Sequence, residues 1–172
     1  NAGQPNSNSG LIRKDATPLI ASELEADVDA LLDGQLSDQI RALLEERGVV
    51  CFRGLNLSDE QQIAFTKTLA TESQDYTSTK ITMDPLENPK AEYIKGAFFW
   101  HIDGTMNAVP ILASILSAKV LSPTGGQTEF CNTYAAYEQL SVEEKQTYEI
   151  LKVLHSAWNS LFYYDPEPPL AK

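Results

Sequence analysis

Residues 99–105 read Phe99-Trp100-His101-Ile102-Asp103-Gly104-Thr105. The chain has only two histidines, and one of them stands here two places from a carboxylate. On a β-strand, residues i and i+2 point to the same face, so an imidazole and a carboxylate at this spacing can hold one metal ion between them. Two histidines and one carboxylate on one face of an octahedron suit non-haem Fe(II) and leave positions open for a cosubstrate and O₂. The triplet alone decides little. It is also the pattern of a hydrogen-bonded surface pair, and coordination needs a third ligand and an open site.

The sequence on either side gives the triplet a setting. Downstream, Ile111 to Val120 is rich in Ile and Leu and interrupted by Ser114, Ser117 and Lys119; it is long enough to cross a sheet. The turn Pro123-Thr124-Gly125-Gly126 leads into a second strand candidate, Thr128 to Cys131. Tyr93-Ile94, a piece near Lys80–Thr82 and Val153 to Trp158 are further candidates. Upstream the signals are helical. Ile40, Leu43 and Leu44 share one face of a helix over Ser37–Arg47, with Ser37 able to cap it and Gly48 to end it. Val49-Val50-Cys51-Phe52 follows as a buried strand. Ser58-Asp59-Glu60-Gln61 is a capping box opening a helix to about Leu69, and Ser141-Val142-Glu143-Glu144 opens another to about Lys152. Residues 71–92, with Pro85 and Pro89, read as a long loop of the kind that often carries function. Helices first and strands after fit an α+β class, or a mainly β sandwich with helical decoration, of which a jelly roll is one form.

Composition narrows the function classes. The 172 residues, 42% hydrophobic and 22% charged, suit a single soluble domain with a real core. Residues 1–10 read as a disordered tail and 11–172 as the domain. No stretch approaches the roughly 20 apolar residues of a membrane helix, and the polar opening lacks a signal-peptide run. A formal charge of −11 repels phosphates and anionic lipid, so nucleic acid and membrane are set aside as partners. Cys51 and Cys131 make no disulfide framework, and a reduced cytoplasm is the simpler compartment. Homo-oligomerisation stays open.

Several motifs in order carry a family resemblance. The stretch Trp100-His101-Ile102-Asp103, then Ser117 to Phe130 with its Gly125-Gly126-Gln127-Thr128, then Ala135-Ala136-Tyr137-Glu138-Gln139-Leu140-Ser141, is similar to the taurine dioxygenase and 2,4-dichlorophenoxyacetate dioxygenase family. So is Leu43 to Gly54 followed by Asp59-Glu60-Gln61-Gln62. The similarity runs from about Leu31 to Trp158. It implies a double-stranded β-helix (jelly-roll) core with flanking helices. It also implies an Fe(II)- and 2-oxoglutarate-dependent dioxygenase that hydroxylates a small organic substrate with O₂ and releases succinate and CO₂. His101 and Asp103 match the proximal iron ligands and catalytic pair. Thr128 matches the threonine that hydrogen-bonds a carboxylate of 2-oxoglutarate. Tyr76, Ala97, Leu161 and Phe162 lie where the family lines its substrate pocket.

Two family parts are not found. A distal iron-binding histidine and a following arginine for the far carboxylate of 2-oxoglutarate are expected beyond Thr128, yet Arg13, Arg41, Arg47 and Arg53 all precede the triplet. His155 is the remaining histidine. It reads as a packed or pocket-lining residue rather than the third ligand. The distal strands, histidine and arginine are therefore expected in polypeptide after Lys172, so the jelly roll is incomplete in this chain. Four residues before His101, where some members place a polar substrate contact, this chain has Ala97. The run Ala97–Trp100 is then either ordinary core or a pocket wall less polar than a taurine site. Two other functions remain open: a jelly-roll binding domain that has lost its metal site, and a hydrolase using a metal-bound water at the same pair.

Overall fold

The computed structural model describes residues 10–70, 76, 78–88, 91–105, 107–109, 111–154 and 156. They fall into two compact units. One comprises the described parts of residues 1–78 with 115–145, the other those of 79–114 with 146–172.

The first unit is built on a three-stranded sheet of β1 (Ile12–Asp15), β2 (Ser22–Glu25) and β3 (Val50–Phe52), in the order β1-β2-β3. β1 and β2 run antiparallel, with Ile12 opposite Glu25 and Asp15 opposite Ser22. β2 and β3 run parallel, with Ser22 opposite Val50 and Leu24 opposite Phe52. A parallel pair needs a crossover. Here α1 (Val28–Leu32) and α2 (Ser37–Arg47) supply it. Asp27 caps α1 by accepting from the amides of Asp29 (2.9 Å) and Ala30 (3.2 Å). Gly48 ends α2 at φ +70°, a left-handed conformation that a β-carbon would penalise.

The core of this unit is Leu31, Leu36, Ile40, Leu57, Phe65 and Leu69, all buried. Each such side chain contributes about 1.5–3 kcal/mol through burial. Phe65 and Leu69 come from α3 (Asp59–Leu69), and Phe52 meets Phe65 edge to face at 5.9 Å between ring centres. The Ser58 capping box forms as its sequence predicts: Gln61 N–H donates to Ser58 Oγ at 3.2 Å, and Ser58 N–H donates to Gln61 Oε1 at 2.9 Å.

The β1–β2 loop is held by a buried arginine. Arg47 Nη1 donates to Pro18 O at 3.1 Å, and Nη2 donates to Ala21 O at 3.2 Å and to Thr17 O. Ala21 N–H returns a bond to Arg47 O at 3.0 Å. Ala21 has φ +67°, so the clamp holds a non-glycine residue in a conformation costing about 1–2 kcal/mol.

The second unit contains α4 (Ala91–Ile94) and a 3₁₀ turn over Lys95–Phe98, which lead into the triplet. Among the described residues two further helices follow, the earlier of them in the first unit. α5 (Thr133–Glu138) is capped by Asn132, and α6 (Val142–Glu149) is opened by the predicted Ser141/Glu144 box, with Glu144 N–H on Ser141 Oγ at 3.1 Å. Among the described residues, no helix is long and apolar enough to cross a membrane.

Several expectations are corrected. Tyr93-Ile94 is helical, not a strand, because a pair of apolar residues does not fix a period. Lys80–Thr82, Ile111–Val120 and Thr128–Cys131 are irregular, and so are the described residues 153 and 154 of the Val153–Trp158 candidate. A strand is a property of a pair, and among the described residues none of these segments has a partner. Val120 is accordingly 92% exposed and Leu116 64%. Ser37 does not cap α2. Leu36 occupies the cap position, and Ser37 Oγ is buried without a partner. α6 stops before Lys152, closed by a tight bond from Leu151 N–H to Tyr148 O at 3.0 Å. β1, β2, α1 and α5 were not foreseen. β1 is Ile-Arg-Lys-Asp and exposed throughout, so it carries no alternation of apolar and polar residues to read. Cys51 and Cys131 are both free thiols.

Candidate metal centre

The 3₁₀ turn ends at Phe98, and the chain runs irregularly through Phe99–Ile102 into a turn over Asp103–Thr105. The expected strand is absent, so strand alternation does not bring the two side chains together. The turn does. Gly104 takes φ +70°, and a β-carbon built there would lie 2.5 Å from Ile111 Cδ1 and 2.8 Å from Ile111 Cγ1. Both the dihedral and the space call for glycine. Asn107 N–H donates to Gly104 O at 2.9 Å and closes the turn.

His101 and Asp103 converge. Nε2 of His101 lies 3.2 Å from Oδ1 of Asp103. The other ring nitrogen, Nδ1, is 2.7 Å from Phe99 O. A carbonyl only accepts, so Nδ1 carries the proton, and in the neutral ring Nε2 presents a lone pair. Two electron-pair donors thus face each other, an arrangement that is stable when a proton or a cation lies between them. Donors about 2.1 Å from a first-row metal and adjacent on an octahedron are about 3 Å apart. The observed separation fits such a pair. The backbone bond at Nδ1 is the kind of support that ligating histidines need for a fixed ring orientation.

Asp103 has its own support. Ser114 Oγ donates to Asp103 Oδ2 at 3.2 Å, leaving Oδ1 for His101 and any cation. Sequence reasoning missed this serine. Its signal was present, because Ser114 breaks the apolar run after Val109. Both ligand candidates are about half exposed. Among the described residues, no group of three His, Cys, Asp or Glu side chains gathers to hold a metal, so the pair supplies two ligands and no third.

The remaining candidates are placed as follows. Thr128 is an exposed residue of the first unit, between the Gly125-Gly126 turn and α5. Tyr76 is half-buried in the first unit, and Ala97 is exposed in the second. His155, Leu161 and Phe162 lie outside the described residues. Neighbouring aromatics overturn the reading of Ala97–Trp100 as ordinary core: Phe98 is 66% exposed and Trp100 65%, with Ile102 at 66%. An open depression of about 460 Å³ between Leu24–Val28 and Arg53–Leu55 contains none of the predicted site residues.

Comparison with known proteins agrees on one family. Residues 13–169 match the family described as "Taurine catabolism dioxygenase TauD, TfdA family". The chain is 30% identical over 167 residues to the alpha-ketoglutarate-dependent 2,4-dichlorophenoxyacetate dioxygenase of Cupriavidus pinatubonensis, covering 84% of this chain and 58% of that protein. It is 29% identical over 124 residues to the (S)-phenoxypropionate/alpha-ketoglutarate-dioxygenase of Sphingobium herbicidovorans, covering 68% of this chain and 43% of that one. The crystal structure of AAD-2 in complex with Mn(II) and N-oxalylglycine superposes with a TM-score of 0.63 at 24% identity, over 81% of this chain and 49% of that one. The fold is thus shared with that structure, and the chain spans about half the length of the relatives it matches.

Proposed function

The chain belongs to the TauD, TfdA family of dioxygenases, and on that premise we propose that the protein is an Fe(II)- and 2-oxoglutarate-dependent dioxygenase acting on a small organic substrate. Residues 11–172 would contribute the N-terminal and central part of its jelly-roll core. The distal histidine and the arginine of the family pattern would come from polypeptide after Lys172.

One observation carries this reading: His101 is held as the tautomer that bares Nε2, 3.2 Å from Asp103 Oδ1. His101 and Asp103 would hold the iron. Bound there, iron supplies O₂ activation coupled to oxidative decarboxylation of 2-oxoglutarate to succinate and CO₂. The protein's own residues provide position and charge. Phe99 O keeps the proton on Nδ1, so the imidazole does not turn its N–H toward the cation. Asp103 brings the negative charge, and Ser114 holds its second oxygen. Thr128 would donate its hydroxyl to a carboxylate oxygen of 2-oxoglutarate. Trp100 and Ile102, exposed beside the pair, offer apolar surface that excludes water once covered.

The substrate class to try first is an aryloxyalkanoic acid. Two relatives are named for such acids, and Ala97 offers no polar group to a sulfonate. The test is succinate formation from 2-oxoglutarate by the full-length protein, with Fe(II), O₂ and a panel of aryloxyalkanoates and taurine. Turnover is expected to need iron and O₂ and to vanish in His101→Ala and Asp103→Ala. Undiminished turnover in both variants sinks the assignment. Product formation without O₂ points instead to a metal-dependent hydrolase, and absence of metal binding in an anaerobic titration points to an inert scaffold.

A further inference from the structure

Thr128 sits in an irregular segment with no sheet partner among the described residues, so something other than a β-ladder must fix its reach. The segment is fastened at both ends, and both fastenings lie in the first unit. At the upstream end, Lys119 Nζ donates to Leu57 O at 2.5 Å and lies 3.5 Å from Asp59 Oδ1. Leu57 is part of the buried core and precedes the capping box of α3, so this anchor is rigid. At the downstream end, Asn132 Nδ2 donates to Leu19 O at 2.7 Å. Leu19 belongs to the β1–β2 loop that Arg47 clamps through Thr17, Pro18 and Ala21.

Asn132 does two things with one amide. Its Oδ1 accepts from Ala135 N–H at 3.0 Å and caps α5. Its Nδ2 reaches across to the loop. Asparagine caps with its oxygen and donates from a separate nitrogen pointing the other way; Asp caps as well and donates nothing.

We propose that Asn132 is a positioning residue for Thr128: with Lys119, it pins the 119–132 segment to the β1–β2 loop and the α3 entry, so that the threonine hydroxyl is presented to 2-oxoglutarate at a fixed place. This rests on the reading of Thr128 as a 2-oxoglutarate contact. A pinned segment has less conformational freedom to lose on binding, so loosening it weakens cosubstrate affinity and leaves the metal pair untouched.

The experiment uses the full-length protein with Mn(II) in place of iron, titrated calorimetrically with 2-oxoglutarate and separately with Mn(II), alongside thermal unfolding. Asn132→Asp keeps the cap and removes the donor. Lys119→Met removes the other fastening at a half-exposed side chain, where no core is opened. Each is expected to raise the Kd for 2-oxoglutarate about twofold to tenfold, the loss of one hydrogen bond, with Mn(II) affinity unchanged. A purely structural role would lower the melting temperature and weaken Mn(II) and 2-oxoglutarate together; that result overturns the proposal. So does unchanged 2-oxoglutarate affinity in both variants while Thr128→Ala weakens it. If Thr128→Ala itself leaves 2-oxoglutarate affinity intact, the reading of Thr128 fails, and the positioning role fails with it.

Discussion

His101 Nε2 and Asp103 Oδ1 face each other at 3.2 Å although the residues between them form no strand. The pairing is produced by the Phe99 carbonyl on one ring nitrogen and by a glycine turn directly after the carboxylate. The glycine turn and the Ser114 hydroxyl behind the carboxylate can each be removed by substitution, and metal affinity reads both.

Ser114→Ala removes the donor that holds Asp103 Oδ2. A lost partner behind a metal ligand typically costs about 10- to 100-fold in metal affinity. Because the bond is between half-exposed groups, the lower end is expected. Mn(II) titration of Ser114→Ala against wild type measures it, with Ser114→Thr retaining the hydroxyl as control. Equal affinity in the Ala variant would show that Ser114 is a bystander.

Gly104→Ala meets two obstacles, a φ of +70° and a close approach to Ile111. The first costs about 1–2 kcal/mol whatever the space. The second is relieved by turning Ile111, which is 47% exposed. Metal affinity is expected to fall in Gly104→Ala and to recover only partly in Gly104→Ala/Ile111→Ala. Full recovery in the double variant would assign the effect to the clash alone. The melting temperature is expected to fall by a few degrees in both, since the left-handed strain is stored in the folded turn.

Ala21 and Arg47 form a reciprocal pair, with the alanine at φ +67°. Ala21→Gly relieves the left-handed strain and adds unfolded-state freedom. The net expectation is stabilisation by about 0.5–1 kcal/mol. Arg47→Met removes three charged-donor bonds to loop carbonyls and is expected to destabilise by at least about 1.5–3 kcal/mol. Urea unfolding of both variants decides; a destabilised Ala21→Gly contradicts the strain argument.

Asp15 titrates low. The Arg13 guanidinium donates to both of its oxygens, at 2.7 and 3.1 Å, and Ser22 Oγ donates at 2.7 Å. Arg13 first and Ser22 second hold its pKa near about 2, from an ordinary 3.8. A depressed acid contributes its full stabilisation above the unfolded value and loses it as the pH falls through the folded value. Protection of β1 and β2 amides should therefore persist down to about pH 3.8 and decline toward about pH 2. Arg13→Gln should move the Asp15 titration, followed by carboxyl carbon NMR, back up toward 3.8. A wild-type Asp15 already titrating at its ordinary value would refute the assignment.

The sequence alone determined what local physics controls. The α2 helix, the Ser58 and Ser141 boxes and the strand at Val50–Phe52 all formed within a residue or two of expectation, although that strand is half-buried with Cys51 exposed rather than buried. A capping box is a contest among four neighbouring residues, and an amphipathic face is visible in its spacing. His101 and Asp103 are legible as a pair because their spacing is short, although a glycine turn and not a strand follows the carboxylate.

What the tertiary structure decided depends on partners far along the chain. Nothing in Ile-Arg-Lys-Asp announces β1; it becomes a strand because β2 lies beside it and Ser22 bonds Asp15. Conversely, Ile111–Val120 has every strand propensity and no ladder, since β-structure needs a second chain segment that no local pattern supplies. Ser114 behind Asp103 and Asn132 on Leu19 O are likewise visible only in three dimensions. Residue types reveal which groups can bond. Only the folded chain brings a donor at position 132 to an acceptor at position 19, because the entropy of closing so long a loop is recovered by the packed core and by no local preference.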